Sequence, residues 1–251
     1  MPACKECSAF DPVKNVCIND ERWHPRSAVR NCVTEIAKLE IANLPAGGKL
    51  LEVGAGVWKW PRIVCHQQQI TWYGVDPRWK TDERFRRYHG TASSIPFPDN
   101  TFPLVLAFET MEHWHERGDN IPNGLREIHR VLSPGGRLVI TVPIHLHGHD
   151  MFVQGDVPRI LAHFGVEASG IDNFIDRLTC DTPSAPAEGP SWAKVEAVAW
   201  RRIHEPVPVH TGWMNNRAWR HFKPLVEAGF KQQTVQKVPS SWSLNINATK
   251  G

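Results

Sequence analysis

Leu50-Leu51-Glu52-Val53-Gly54-Ala55-Gly56, followed by Tyr73-Gly74-Val75-Asp76, is the stretch that decides the fold of this chain. An apolar run breaks into a glycine turn, and a second apolar run ends on a carboxylate. A parallel α/β sheet opens a crevice for a nucleoside-bearing ligand in this way, at the carboxyl ends of its strands. Glycine lets the backbone approach a ligand closely because it carries no Cβ. Asp76 can accept hydrogen bonds from both hydroxyls of a ribose. A dinucleotide fingerprint requires Gly-x-Gly-x-x-Gly/Ala, whose last small residue packs helix on strand. That position holds Lys59, so the dinucleotide reading fails.

The downstream text extends the pattern. Ser94-Ile95-Pro96-Phe97-Pro98-Asp99-Asn100-Thr101-Phe102 precedes a strand, and Phe108-Glu109-Thr110-Met111-Glu112-His113 closes it. Leu125 to Leu132 followed by Ser133-Pro134-Gly135-Gly136 reads as a helix and its stop. With the acidic Glu52 two residues before Gly54, these motifs resemble, in order and spacing, class I S-adenosylmethionine (SAM) methyltransferases of the UbiE-like (type 11) group. The resemblance covers about Lys49 to Pro143, with a further match at Glu227-Ala228-Gly229-Phe230. It implies a SAM-dependent methyltransferase with Glu52, Gly54, Ala55, Gly56, Asp76, Ser93, Ser94 and Glu109 lining the cofactor. Two departures stand out. Trp58 occupies a place where the family often has a third glycine. The acid that commonly reads the adenine amino group would fall at Thr91 or Ala92, and neither residue can replace it.

Composition narrows the class. Hydrophobic residues at 41% and charged residues at 22% are ordinary for a globular chain. A net charge of +3 is too slight to demand a nucleic acid. Met1 to Cys7 has no apolar signal core and no later run spans a bilayer, so a cytoplasmic protein without a membrane partner is expected. Four of the six cysteines form Cys4-x2-Cys7-x9-Cys17-x14-Cys32. In a reducing compartment this spacing favours metal ligation over disulfides. Four thiolates suit tetrahedral zinc first and an iron–sulfur cluster second, with His24 as a substitute for Cys32. Alternatively, Cys32 belongs to the apolar stripe Val29, Cys32, Val33, Ile36 and Leu39 of a helix over Ser27–Asn43 and is simply core.

From Lys49 onward strand alternates with helix, as a doubly wound sheet requires. Leu50–Val53, Trp72–Val75, Leu104–Phe108 and Arg137–Thr141 read as strands, and Asn123–Leu132 and Trp219–Ala228 as helices. A hairpin of Gln233–Val238 and Ser241–Asn247 comes last. The fold expected is α/β: a Rossmann-like, seven-stranded doubly wound sheet. Residues 1–26 form a small Cys-rich module, and 27–144 with 216–251 form the core. Residues 145–215, chopped by prolines and glycines, form a substrate-cap insertion, since long structured loops are more often functional than padding. Trp192, Trp200 and Trp213 beside several carboxylates suit a polar, cationic ligand there.

SAM chemistry needs in-line attack by a nucleophile, helped by a base when the acceptor is a hydroxyl or a protonated amine. His113 follows the fourth strand; His145, His147 and His149 follow the fifth. Both loops open at the ligand edge, so these four are the candidate bases. The three later histidines, with Asp150, are also placed to hold a divalent metal if the segment is extended. The activity expected is methyl transfer to N or O of a small polar molecule, such as an amino sugar, an antibiotic or another specialised metabolite. Two other readings stay open: an RNA methyltransferase recognising its target through the cysteine module, and a non-catalytic SAM-binding regulator.

Overall fold

The computed structural model describes residues 36–56, 60–144, 160–166, 189–201 and 242–251, together with the short strand segments 10–11, 16–17, 177–180, 207–208 and 237–238. Its centre is one mixed sheet. The strands are β1 (Lys49–Val53), β2 (Thr71–Val75), β3 (Arg87–Tyr88), β4 (Phe102–Phe108), β5 (Leu132–Ile144), β6 (Arg177–Cys180), β7 (Lys194–Arg201) and β8 (Trp242–Thr249). They lie side by side in the order β3-β2-β1-β4-β5-β8-β7-β6. Strands β1 to β5 pair in parallel, whereas β8 runs antiparallel to both β5 and β7. The chain order reverses at β1, which opens a crevice beyond the carboxyl ends of β1, β2 and β4.

Both faces of the sheet are covered, and the alternation of side chains assigns each residue to one of them. Leu50, Leu104, Leu106 and Val139 pack with Ile36, Ala37 and Ile41 of helix α1 (residues 36–42) and Val64 and Cys65 of α2 (Trp60–Gln67). Leu51, Val53, Val105, Ala107, Leu138 and Ile140 face the opposite way, onto Leu125, Ile128 and Val131 of α3 (Ile121–Val131). These are the strands and the third helix that the apolar periodicity predicts. Asn120 caps α3, its side chain accepting from the Asn123 N–H at 2.8 Å. Arg130 then ties the helix to the segment before β4, donating to the carbonyls of Phe97 and Ile95 and pairing with Asp99 and Glu127.

The far half of the sheet departs from the sequence reading. Among the described residues this sheet holds eight strands where seven were expected, and two of them, β6 and β7, come from the stretch 145–215 assigned to a cap. The last strand is not paired with Lys237–Val238, the described part of the expected hairpin. It pairs with β7, Leu244 opposite Ala199 and Ile246 opposite Ala197, while Lys237–Val238 pairs with Val207–Pro208. The reason is burial: Val195, Ala197, Leu244, Ile246 and Ala248 are all nearly inaccessible and complete the core that β5 begins. Trp192, expected to stack on a ligand, is core too. It is buried against Phe164 and edge-on to His129.

Near the amino terminus, Phe10–Asp11 pairs antiparallel with Val16–Cys17. Cys4, Cys7 and Cys32 lie outside the described residues, and of Cys17 only the backbone is described. Among the described residues no group of histidines, cysteines and carboxylates is arranged to hold a metal. No described helix is long and apolar enough to cross a membrane.

Candidate functional site

Three strand ends build one cleft. Its walls are Val53 and Gly54 after β1, Asp76 to Arg78 after β2, Gly90 to Ala92 after β3, and Glu109 to Asp119 after β4. The glycine turn is required by geometry. Gly54 has φ +71° and Gly56 φ +56°, a region that side chains rarely adopt. A Cβ on Gly54 would lie 2.7 Å from the Thr110 side chain, and one on Gly56 2.7 Å from Arg78 Nη2. The turn is tied to the end of β2, where Gly54 N–H donates to the Val75 carbonyl at 2.8 Å.

Asp76 is the hub. Its side chain is only 2% exposed. Oδ2 accepts from the Gly56 N–H at 2.8 Å and from Arg78 Nη2 at 2.9 Å. Oδ1 accepts from the Arg78 N–H at 2.8 Å and from Arg78 Nε at 2.9 Å. Burial by itself would raise the carboxyl's pKa. The Arg78 guanidinium and two backbone N–H groups outweigh burial and hold it below the usual carboxylate range. The two backbone donors are fixed, whereas the guanidinium is half exposed. Were it to swing away, each oxygen would regain an acceptor site, enough for the two hydroxyls of a ribose. A buried, aimed carboxylate beside a turn with no room for Cβ fits the nucleoside of SAM.

Glu52 is placed elsewhere. Alternation along β1 turns it away from the cleft to the face of Leu50, where its Oε2 accepts from the Trp72 indole N–H at 2.7 Å. It is 3% exposed, and burial pushes its pKa up to about 8, the Trp72 hydrogen bond lowering and the Asp76 charge raising it. Cys65, buried on the same face, is pushed up to about 12 by burial and by the charge of Glu52. Ser93 and Ser94 are also not in the cleft wall. A turn closed by two hydrogen bonds between Thr91 and Ser94 carries them past it, leaving Thr91 and Ala92 in their stead. Ala55 is buried behind the turn, its N–H directed at the Val75 carbonyl.

On the β4 side, Glu109 and His113 both line the cleft, where the sequence reading puts them. Glu109 adopts φ +53°, an uncommon conformation for a residue with a Cβ, and such strain gathers at functional sites. His113 Nδ1 sits 2.9 Å from Glu116 Oε1, and Nε2 lies 3.7 Å from Glu112 Oε1. Trp114, 5% exposed, donates its indole N–H to Thr110 Oγ1 at 2.9 Å and stiffens this loop. His145, His147 and His149 lie outside the described residues. The sequence reading missed Arg78, Thr110, Trp114, Arg117 and Asp119. Arg78 had a signal, an arginine two residues after the ribose acid, but Asp119 had none, because its partners Thr91 and Ala92 are distant in sequence.

Comparison with known proteins agrees with this geometry. Residues 51–140 match the type 11 methyltransferase domain. The chain is 31% identical to a demethylmenaquinone methyltransferase of Clavibacter sepedonicus over 61% of this chain and 63% of that one. It is 29% identical to a 27-O-demethylrifamycin SV methyltransferase of Amycolatopsis mediterranei over 47% and 48%. The chain thus spans about half to under two thirds of these curated relatives. The crystal structure of the YcgJ protein of Bacillus subtilis shares the fold, with a TM-score of 0.53 at 15% identity over 88% of this chain and 98% of that one. Glycine turn, buried Asp76, strand order and domain match converge: residues 51–140 of this chain form a methyltransferase domain of the class I, UbiE-like (type 11) kind.

Proposed function

We propose that this protein transfers a methyl group from SAM to an oxygen or nitrogen of a small polar metabolite, with His113 as the base. The observation that carries the reading is one cleft holding both a buried ribose acid, Asp76, and a histidine gripped by a carboxylate. SAM supplies an electrophilic methyl on a cationic sulfur. The residues of this chain do the rest: Asp76 and the Gly54–Gly56 turn orient the nucleoside, and the β4 loop faces the acceptor. With Nδ1–H donating to Glu116, Nε2 carries the lone pair and takes the proton of a hydroxyl or ammonium acceptor. The imidazolium so formed stands between Glu116 and Glu112, which stabilise its charge. The net change is acceptor–H plus SAM to methylated acceptor, S-adenosylhomocysteine and a proton.

The Amycolatopsis relative is named for 27-O-demethylrifamycin SV, which supports an oxygen acceptor on a specialised metabolite, antibiotics included. An amino sugar remains within this class, with Glu109 in the wall to pair with its ammonium. Zinc on Cys4, Cys7, Cys17 and Cys32 is a separate proposal, tested by metal analysis of the purified protein.

The test is methyl transfer from labelled SAM to a panel of hydroxyl- and amine-bearing metabolites. The His113→Ala variant is expected to lose roughly 10²–10⁴-fold in kcat while its SAM affinity by calorimetry stays within about twofold of the unmodified protein. Full turnover in that variant would remove His113 from the mechanism; no transfer to any acceptor by the unmodified protein would favour a SAM-binding regulator.

A further inference from the structure

We infer that Asp119, arriving from the loop before α3, is the carboxylate that reads the amino group of the cofactor's adenine. The inference rests on the SAM reading above and extends it to a residue outside the expected motif. In the sequence the position for such an acid is Thr91 or Ala92, and neither carries a carboxylate. The structure brings one there from 28 residues further along the chain. Thr91 Oγ1 donates to Asp119 Oδ1 at 2.9 Å, and the Ala92 N–H donates to Asp119 Oδ2 at 3.1 Å.

The place is right for a base. Asp76 N–H donates to the Tyr88 carbonyl at 3.1 Å, so the segment leaving β3 runs beside the ribose acid. A base attached to that ribose lies against this segment, which is Gly90 to Ala92 and then Asp119 in the cleft wall. The reactive end of the ligand is then expected at the opposite end of the cleft, past Gly54 toward Glu109 and Thr110. The chemistry is right as well. Asp119 is 8% exposed, and among the described residues no lysine, arginine or histidine pairs with it. Two neutral donors fix its orientation, and each oxygen retains a second acceptor position. A carboxylate held in this way selects a neutral N–H₂ group and rejects a carbonyl, because an acceptor facing an acceptor leaves both unpaired. Thr91 is the positioning residue: its hydroxyl aims the carboxylate that Thr91 itself lacks.

The experiment is calorimetric binding of S-adenosylhomocysteine and S-inosylhomocysteine, in which a carbonyl replaces the amino group. The unmodified protein is expected to prefer the adenine compound by roughly tenfold or more. Asp119→Asn can turn its own N–H₂ toward the carbonyl, so this preference is expected to collapse by about tenfold, from both weaker adenine and stronger inosine binding. Thr91→Val is expected to shift it the same way by a smaller factor. Equal affinity of the unmodified protein for the two compounds would overturn the inference without any variant. So would an unchanged ratio in Asp119→Asn with native circular dichroism. If the folded protein binds neither compound, and Asp76→Ala is equally silent, the SAM reading itself fails; that outcome is distinct from binding without discrimination.

Discussion

Asp76 and Asp119 are two nearly buried carboxylates in one cleft, and they are held in opposite ways. Asp76 has a cation against it, both of its oxygens bonded to the Arg78 guanidinium. Among the described residues, Asp119 has only a hydroxyl and a backbone N–H. An ion pair at the cleft mouth keeps the buried charge of Asp76 compensated, and under the proposed function that pair opens when the diol docks. Neutral donors leave the second carboxylate oriented from the start. On that reading Asp76 is gated by Arg78, while Asp119 is preorganised.

The largest effect is expected from Asp76→Ala. Two charge-assisted hydrogen bonds to the ribose disappear, which lowers SAM affinity by roughly 100-fold or more. Calorimetry checks this, and an affinity within a few-fold of the unmodified protein would remove Asp76 from the ribose site. The gate gives a smaller effect of opposite sign. Arg78 is half exposed, so opening its pair with Asp76 costs no more than about 1 kcal/mol. Arg78→Ala, which no longer bears that cost, is expected to bind SAM up to about fivefold more tightly. Weaker binding in Arg78→Ala would instead make the guanidinium a cofactor ligand, and the contrast between the two acids would dissolve.

Legibility in the sequence depends on the range of the interaction. The end of β1, the Gly54–Gly56 turn and Asp76 were readable because an apolar run, a break and a spaced acid are local signals. Glu109 and His113 were readable because a strand that ends at the ligand edge exposes the loop residues just beyond it. Glu52 was assigned to the cofactor by motif, but strand alternation outweighs the motif and turns it to Trp72. Ser93 and Ser94 were assigned to the cofactor by resemblance, and a tight turn moves them off the wall. In β7 the alternation of Val195 and Ala197 was present, but short and surrounded by prolines and glycines, so it read as loop. The pairing that makes it a strand comes from β8, far along the chain. Asp119 is the extreme case: nothing near it in sequence says that it meets Thr91.

Glu52 is a third buried carboxylate, held behind the glycine turn by a single neutral donor among the described residues. One indole N–H does not offset its burial, and the nearby charge of Asp76 adds to the penalty, so its pKa rises from 4.5 to about 8. A carboxyl raised by folding binds its proton more tightly in the native state. The native state is therefore favoured fully below about pH 4.5, and this contribution is lost as pH rises through about 8. Glu52→Gln keeps an acceptor for Trp72 and removes the titration. Its melting temperature should match that of the unmodified protein near pH 4.5 and exceed it increasingly between there and pH 8. A shift from 4.5 to about 8 corresponds to a gain of a few kcal/mol by pH 8, on the order of 10 °C. Parallel melting curves across that range would mean that Glu52 finds a further donor in the native state. In that case it belongs with Asp119, satisfied by neutral partners, rather than at the uncompensated end of the series.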